Sequence, residues 1–273
     1  MGGRRPHARP PRFLASVLAA AVGFGAVGVG LLPATAGAAP NASAAERDHR
    51  PAPLVARRRE PLPAAPAAHT LHLQRIVAPV DGGDLAVYPA PGAPAPSLVL
   101  PAHDELGSPL VLLAIAATRG WYQVLLPTRP NDATAWVAAM AVTATVPLHR
   151  VELSLSAREL RVLRAADGAV VLTSPAGIGA PSTPTPTGLF FVRDHFPTSG
   201  PGHPYGPFAF GLSGHSEVYT RFGTGDGRIA IHGTNQPSSI GAAVSNGCPH
   251  VPNDVVLAMI PYLPLGTPVL ITP

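Results

Sequence analysis

The chain has 273 residues, enough for one large or two modest domains with a substantial hydrophobic core. Its formal net charge of +4 arises from four arginines within the first twelve residues, where no acid occurs. The rest of the chain is balanced, with fifteen arginines against fifteen acids, and has no basic stripe with interleaved aromatic residues. This charge distribution excludes electrostatic binding of nucleic acid as the basis of function.

An export signal is predicted at the start of the chain. Residues 1–12 are basic and rich in proline, and residues 13–32 are apolar, with many alanines, valines and glycines. Small residues at 34–38 suit cleavage by signal peptidase, but the apolar run is also long enough to span a bilayer if it stays uncut. We therefore expect residues 1–38 to be a signal peptide or an N-terminal membrane anchor. The protein is expected in the cell wall or a periplasmic-type space.

Two segments follow, and they differ in composition. Residues 39–70 are rich in proline, alanine and clustered charge, which is typical of a linker. Residues 71–146 contain short strand-like patches separated by turns, at 71–77, 85–88, 110–114, 122–126 and 136–142. Trp121 and Trp136 lie on either side of a turn at 130–132, and this hairpin resembles a bacterial SH3-like module. We predict a small SH3-like β-barrel that targets or positions the protein; the tryptophans fit its core or a ligand surface equally well.

The C-terminal half is predicted to be mainly strands with one short helix. Alternating apolar and polar residues predict a hairpin that continues into a third strand, and the proline–threonine run after it predicts an extended loop. Residues 194–228 are rich in glycine and are predicted to be mostly loop, in which Tyr205, Phe208 and Phe210 line a groove or pack in the core. The predicted elements are strands 151–155, 159–164, 169–173, 189–192, 228–231 and 268–272, the loop 181–187, and a helix 253–262 with Asn253 as its N-cap.

Cys248 is the only cysteine and stands out chemically. Cysteines of exported proteins usually form disulfides, so an unpaired one either links two chains or is kept for chemistry. His232 lies sixteen residues earlier and can act as a base near neutral pH. Gly233 and Gly247 permit the tight turns that would bring the two side chains together, and backbone N–H groups at residues 247–248 can face an oxyanion.

Two other interpretations of these residues are available. A lone cysteine is often only a small buried apolar residue. His232, Cys248 and His250 are all zinc-ligand types, although no paired-cysteine or H-E-x-x-H motif accompanies them. The nucleophile interpretation is preferred because of the residues around the cysteine.

Those surrounding residues resemble the L,D-transpeptidase (YkuD-type) catalytic domain. The match rests on His-Gly-Thr-Asn at 232–235 and Ser-Asn-Gly-Cys at 245–248, supported in the right order by segments at 177–188, 253–256 and 264–271. It covers about residues 147–273. The resemblance implies a β-sandwich or barrel with one short helix, placed after the SH3-like module.

The resemblance also implies the reaction and its residues. Cys248 would be the nucleophile and His232 the base, with the Gly233 carbonyl orienting the ring and backbone N–H groups near Gly247 stabilising the oxyanion. Substrate contacts would come from Ser245, Asn246 and His250. The substrates would be peptidoglycan stem tetrapeptides, joined in 3→3 cross-links with loss of D-Ala during cell-wall biogenesis and maintenance of cell shape. No cofactor or metal is required, and carbapenem-type β-lactams would be inhibitors.

Three positions depart from the family pattern and keep alternatives open. Asn246 stands where a second histidine is common, Pro249 takes an aliphatic place, and His250 replaces an arginine or asparagine. Asparagine cannot titrate, proline has no N–H, and histidine lacks the bidentate geometry of arginine. An L,D-carboxypeptidase that uses the same site, or a weakly active or inactive wall-binding protein, therefore remains an alternative.

Overall fold

The computed structural model describes residues 74–221, 223 and 225–273. The predicted signal or anchor at 1–38, the linker at 39–70 and the first residues of the predicted SH3-like segment lie outside that part of the chain. Across the described ranges, no helix has both the length and the apolar character needed to cross a membrane.

Strands dominate the described residues, as predicted. In chain order they are β1 Arg75–Pro79, β2 Leu85–Val87, β3 Leu98–Leu100, β4 Leu112–Thr118, β5 Trp121–Leu125, β6 Thr134–Ala138, β7 Val142–Thr145, β8 His149–Ser154, β9 Glu159–Arg164, β10 Val170–Pro175, β11 Ile178–Gly179, β12 Gly188–Pro197, β13 Phe208–His215, β14 Arg228–His232, β15 Ala243–Ser245 and β16 Pro268–Thr272. One α-helix, α1 (Asn253–Met259), is continued by a 3₁₀ turn at Ile260–Tyr262.

The first sheet has five antiparallel strands in the order β6-β5-β4-β1-β7, with β2 and β3 forming a separate pair. Apolar residues that alternate along these strands, such as Val77, Val124 and Val137, are fully buried. Trp121 is half-buried and makes an edge contact with Tyr88, at 5.3 Å between ring centroids. The predicted strand 136–142 is divided, because a 3₁₀ turn at 139–141 separates β6 from β7. The SH3-like classification of this sheet stays a prediction.

The second sheet has seven strands in the order β10-β9-β8-β16-β12-β13-β14. The predicted hairpin is confirmed as β8–β9, with Val151 opposite Val162, and β10 follows it antiparallel. β16 pairs parallel with β8 and antiparallel with β12, so the last strand lies in the middle of the sheet. β14 lies at one edge, and His232 is its last residue.

Strand β12 has a different core on each of its faces. Phe190 and Val192 are buried in the core of the second sheet, together with side chains of β13, β14 and α1. Leu189 and Phe191 point the other way and are buried with the side chains of the first sheet. Complete burial of an aromatic or large aliphatic side chain contributes about 1.5–3 kcal/mol, so both faces of this strand contribute to stability.

The prediction of a mostly loop structure for residues 194–228 was wrong in part. β12 continues to Pro197, and β13 fills Phe208–His215. The glycines of β13 allow close packing, because a Cβ on Gly211 would clash with Asp194 and one on Gly214 would clash with the Phe190 ring. Glycine in this strand therefore marks close approach of neighbours, whereas the sequence pattern suggested turns.

The predicted N-cap of α1 was also wrong. The capping position is Pro252, and no side chain caps the helix. Asn253 instead accepts a hydrogen bond at its Oδ1 from the Thr234 backbone N–H, at 2.7 Å. Val256 and Met259 are fully buried, whereas Ile260 is partly exposed. Asn253 thus joins the helix to the segment that follows His232.

Replacing Asn253 by alanine is expected to lower the free energy of unfolding by about 1–3 kcal/mol, because a part-buried backbone N–H loses its partner. Urea denaturation measures the change. Asn253→Asp keeps the acceptor oxygen and is the matched control. Unchanged hydrogen exchange at the Thr234 N–H in the alanine variant would contradict this role of Asn253.

Candidate active site

A pocket of about 670 Å³ opens beside the end of β14. His232 and Cys248 both line it, so the structure brings together the two residues singled out in the sequence. Its other lining residues are His203, Pro204, Tyr205, Ser216, Tyr219, Gly227, Arg228, Ile229, Thr234, Asn235, Gln236, Val244, Ser245, Asn246 and His250.

Backbone pairing explains how the cysteine reaches the histidine. The segment that follows Cys248 runs beside the end of β14. The Pro249 carbonyl accepts from the His232 N–H at 3.2 Å, and the Val251 N–H donates to the His232 carbonyl at 2.9 Å. The Ala230 N–H, two residues before His232, points at the Cys248 Sγ at 3.4 Å. The chain between the two residues therefore leaves β14 and returns to its end.

The His232 ring is held in one tautomer. Its Nδ1 lies 2.5 Å from the Gly233 carbonyl oxygen. Since a carbonyl can only accept, Nδ1 carries the proton and the lone pair is on Nε2. The rings of Tyr205 and His250 flank it, at 4.4 and 4.6 Å between centroids. This places Gly233 where the family resemblance expects an orienting carbonyl.

Burial keeps this histidine neutral. It lowers the pKa of His232 to about 3, with further lowering from nearby His250 and His203 and partial opposition from the Gly233 hydrogen bond. A neutral imidazole has a free lone pair and can accept a proton. His232 is thus in its basic form at every pH where the protein is expected to work.

The cysteine is also uncharged at rest. Burial raises the pKa of the Cys248 thiol to about 11, against a smaller opposite effect of the Ala230 N–H. The resting pair is therefore a thiol and a neutral imidazole rather than a thiolate and an imidazolium. A reaction at this site needs proton transfer from sulfur to His232 during attack on the substrate.

The turn before the cysteine is fixed by its own side chains. Gly247 has a φ of 118°, which favours glycine. Its N–H donates to Ser245 Oγ at 3.1 Å, and that hydroxyl donates to the Cys248 carbonyl at 2.7 Å. Within the described residues the Cys248 N–H has no hydrogen-bond partner. The Cys248 N–H, rather than that of Gly247, is the one free to face an oxyanion.

Two threonines of the proline–threonine loop donate hydrogen bonds to this turn. Thr183 and Thr185 are buried and donate to the carbonyls of Ser245 and Gly247, each at 2.8 Å. β11 pairs in parallel with β15 beside them. Sequence reasoning identified the loop but not these contacts. The sequence signal for these contacts was the alternation of threonine with proline, because in an extended segment it places the hydroxyls of Thr183 and Thr185 on the same side.

The predicted substrate contacts differ in their freedom to bind. Asn246 is exposed at the pocket, and no hydrogen bond to another described residue engages its side chain. The His250 ring nitrogen Nδ1 lies 3.0 Å from Ser239 Oγ, so one side of this ring is occupied. Tyr205 lines the pocket, whereas Phe210 is buried in the core. In the described ranges, no group of three or more potential metal-ligating side chains is placed to hold an ion.

Stability is expected to fall on both sides of a plateau near neutral pH. Burial is the main cause of a lowered pKa at four histidines, His195, His215, His232 and His250. Below about pH 6.5 the unfolded chain binds protons that the folded protein excludes, so the free energy of unfolding falls as the pH falls. The raised pKa of Cys248 acts above its ordinary value of 9, where the unfolded thiol ionises first.

Urea denaturation at a series of pH values measures this dependence. We expect a lower midpoint at about pH 5 and at about pH 10 than at about pH 7.5. The raised pKa of Asp194, caused mainly by burial, acts in the opposite direction. A midpoint that stays constant from about pH 7.5 to about pH 5 would contradict the assignment of neutral, buried histidines.

Known proteins match this part of the chain. The YkuD family model, described as the L,D-transpeptidase catalytic domain, matches residues 149–271. YkuD of Bacillus licheniformis, which is assigned to the L,D-transpeptidases, is 39% identical over 129 residues, covering 47% of this chain and 68% of that protein. YkuD of Bacillus subtilis is 35% identical over 127 residues, covering 46% and 67%.

Solved structures are also similar. One is L,D-transpeptidase 3 of Mycobacterium tuberculosis in complex with a faropenem-derived adduct, with a TM-score of 0.41 and 17% identity over 70% of this chain and 99% of that one. The family model spans residues 149–271, a range that includes His232 and Cys248. The chain therefore belongs to the YkuD-type L,D-transpeptidase family, with its L,D-transpeptidase catalytic domain at residues 149–271.

Proposed function

We propose that this protein is a cysteine-dependent L,D-transpeptidase that joins peptidoglycan stem peptides by 3→3 cross-links. The observation that carries the proposal is the pocket shared by Cys248 and His232, in which Gly233 fixes the histidine tautomer. Membership of the family supplies the reaction class. The donor is a stem tetrapeptide that ends in D-Ala.

In the first step the Cys248 sulfur attacks the carbonyl carbon of the third stem residue, and His232 Nε2 accepts the thiol proton. The tetrahedral intermediate then collapses, the bond to the D-Ala nitrogen breaks, and His232 returns the proton to that leaving amine. The product is a thioester between Cys248 and the third residue. Free D-Ala leaves the pocket.

The Cys248 N–H supports this step as an oxyanion donor, because it has no partner in the described part of the structure. Loss of one such donor typically costs about 3–4 kcal/mol of transition-state stabilisation. Asn246 lies exposed on the same turn and offers both a donor and an acceptor to the substrate.

In the second step an amine of a neighbouring stem attacks the thioester. His232 takes a proton from the amine and delivers it to the leaving sulfur, which restores the thiol. If water attacks instead, the product is a free tripeptide and the enzyme acts as an L,D-carboxypeptidase. The same thiol is expected to attack the carbonyl carbon of a carbapenem-type β-lactam. The ring C–N bond breaks, the thiol proton passes to the ring nitrogen, and a stable acyl adduct forms on Cys248.

The surrounding assignments belong to the same proposal. Residues 1–38 would direct export or hold the protein at the membrane, which would place the enzyme beside its peptidoglycan substrate. Residues 71–146 would form the SH3-like module that positions it on the wall. Catalysis by the Cys–His pair requires no cofactor.

Mass spectrometry of products tests the reaction. The protein without residues 1–38 is incubated with disaccharide tetrapeptides. A dimer formed with loss of one D-Ala supports transpeptidation, and tripeptide alone identifies a carboxypeptidase. If a well-folded preparation yields neither product, both enzymatic activities are rejected and a wall-binding protein is favoured. Asn246, Pro249 and His250 are then the first residues to replace by those of the family pattern.

A further inference from the structure

One wall of the pocket lies where the chain leaves β13 and returns to β14. We call this the 216–228 wall and define it by its pocket-lining residues Ser216, Tyr219, Gly227 and Arg228. Its two ends are joined, because the Ser216 N–H donates to the Gly227 carbonyl at 2.8 Å. Three carbonyls of this region accept hydrogen bonds from a residue outside it.

Arg129 of the first sheet supplies those donors. It lies on the turn between β5 and β6. Its Nη1 donates to the Ser216 carbonyl at 2.7 Å, and its Nη2 donates to the carbonyls of Tyr219 and Asp226, both at 3.0 Å. One guanidinium therefore joins both ends and the middle of the wall, a geometry that its planar fork of N–H groups allows.

Asn131, on the same turn, fixes the residue just before the wall. Its Oδ1 accepts from the His215 N–H and its Nδ2 donates to the His215 carbonyl, both at 2.8 Å. This is a two-bond pairing of one side chain with one backbone residue. Gly227 completes the fit, since any Cβ there would clash with the Tyr219 carbonyl and lie 2.9 Å from Arg129 Nη2.

The two sheets are packed closely enough for such contacts to set a position. They share the buried faces of β12, with Phe191 in the core of the first sheet. Arg228 of the wall also pairs with the buried carboxylate of Asp194 at 2.6 Å, and with Glu105 on the loop between β3 and β4. The shared core and this ion pair join the two parts of the chain, and the hydrogen bonds of Arg129 and Asn131 join the 129–131 turn to the wall.

We propose that Arg129 and Asn131 are positioning residues for stem-peptide binding, through which the N-terminal sheet completes the substrate pocket. The proposal rests on the proposed function for the identity of the ligand. Neither residue touches the reacting atoms. They hold the 216–228 wall, which faces the substrate, while Cys248 and His232 are held by other contacts.

The test separates substrate binding from the chemistry of the thiol. Iodoacetamide is a small reagent, so its reaction with Cys248 should not depend on the position of the 216–228 wall. A disaccharide tetrapeptide bound in the pocket should protect the thiol from this reagent. We compare wild type with Arg129→Gln, Asn131→Ala and the control Arg119→Gln, whose arginine is exposed on the turn between β4 and β5. Alkylation without peptide, the peptide concentration for half-protection, KM, kcat and the thermal midpoint are measured.

For Arg129→Gln and Asn131→Ala we expect unprotected alkylation at the wild-type rate. The half-protection concentration and KM should rise about tenfold, with kcat changed less than about threefold. Arg129→Lys should recover part of the loss, because an ammonium can reach some but not all of the carbonyls. Arg119→Gln should match wild type.

Several results would overturn the proposal. Half-protection in both variants at the wild-type concentration would show that the wall does not depend on this turn. A fall in kcat and in unprotected alkylation, with KM unchanged, would place the effect at the thiol or in the general fold. Failure of the tetrapeptide to protect wild-type Cys248 would also reject it. Protection without turnover would instead reject the proposed function and keep the pocket assignment.

Discussion

Replacing Cys248 by alanine is expected to abolish D-Ala release, a loss of about 10³-fold or more, as when the nucleophile of other covalent enzymes is removed. The side chain is the only thiol in the chain, so no second nucleophile of this kind can substitute. Among the described residues, its Sγ accepts one weak hydrogen bond, from the Ala230 N–H at 3.4 Å, and the half-buried side chain packs at the margin of the second core, so the loss of stability should be modest. D-Ala release and intact-mass measurement after exposure to a carbapenem record the effect.

Cys248→Ser is the companion variant, because it keeps the size of the side chain but raises the pKa of the nucleophile. It should fold like wild type, with a similar thermal midpoint, and form no stable carbapenem adduct. If the alanine variant kept even a tenth of the D-Ala release, the nucleophile would have to be another group. The proposed mechanism would then fail while the family assignment stayed.

Replacing His232 by asparagine is expected to lower the acylation rate by about 10²–10⁴-fold, the usual contribution of a general base. Asparagine can still donate to the Gly233 carbonyl through its amide, but it cannot take the thiol proton. Because the pKa of Cys248 is about 11, almost no thiolate exists at neutral pH without help. Stopped-flow acylation by a carbapenem measures the rate.

The pH dependence of the acylation rate distinguishes loss of the base from other defects. In His232→Asn the acylation rate should climb with pH toward the pKa of the thiol, whereas wild type should be nearly flat through the neutral range. His149→Asn is the matched control, since His149 is a half-buried histidine that contacts Tyr262. Equal rates for both variants at neutral pH would remove His232 from the mechanism.

The parts of the site that are local in sequence could be predicted. Ile231 and its neighbours read as a strand that carries His232, and β14 confirms it. The pairing of residues 249–251 with the end of that strand could not be derived from periodicity, since it depends on the path of the intervening chain. The family resemblance predicted that His232 and Cys248 share one site, but it did not predict this backbone pairing.

Interactions that join distant segments were not predictable from the sequence. Asparagine is a common helix N-cap, but the side chain of Asn253 instead accepts a hydrogen bond from the Thr234 N–H, which is distant in sequence. Arg129 shows no local feature that marks it, and its carbonyl partners lie 87 to 97 residues away. Glycines at 211 and 214 favour a loop by composition, yet they are needed where other groups approach a strand closely.

The two-faced burial of β12 makes the two sheets a single cooperative unit. A fragment starting at residue 147 would keep the whole predicted catalytic domain and still expose Leu189 and Phe191, which are buried in the core of the first sheet. Such a fragment would carry a new apolar surface and tend to self-associate. Calorimetry of the intact protein should show one melting transition rather than two. The family resemblance thus places the start of the catalytic domain near residue 147, but the unit that folds cooperatively also includes the first sheet.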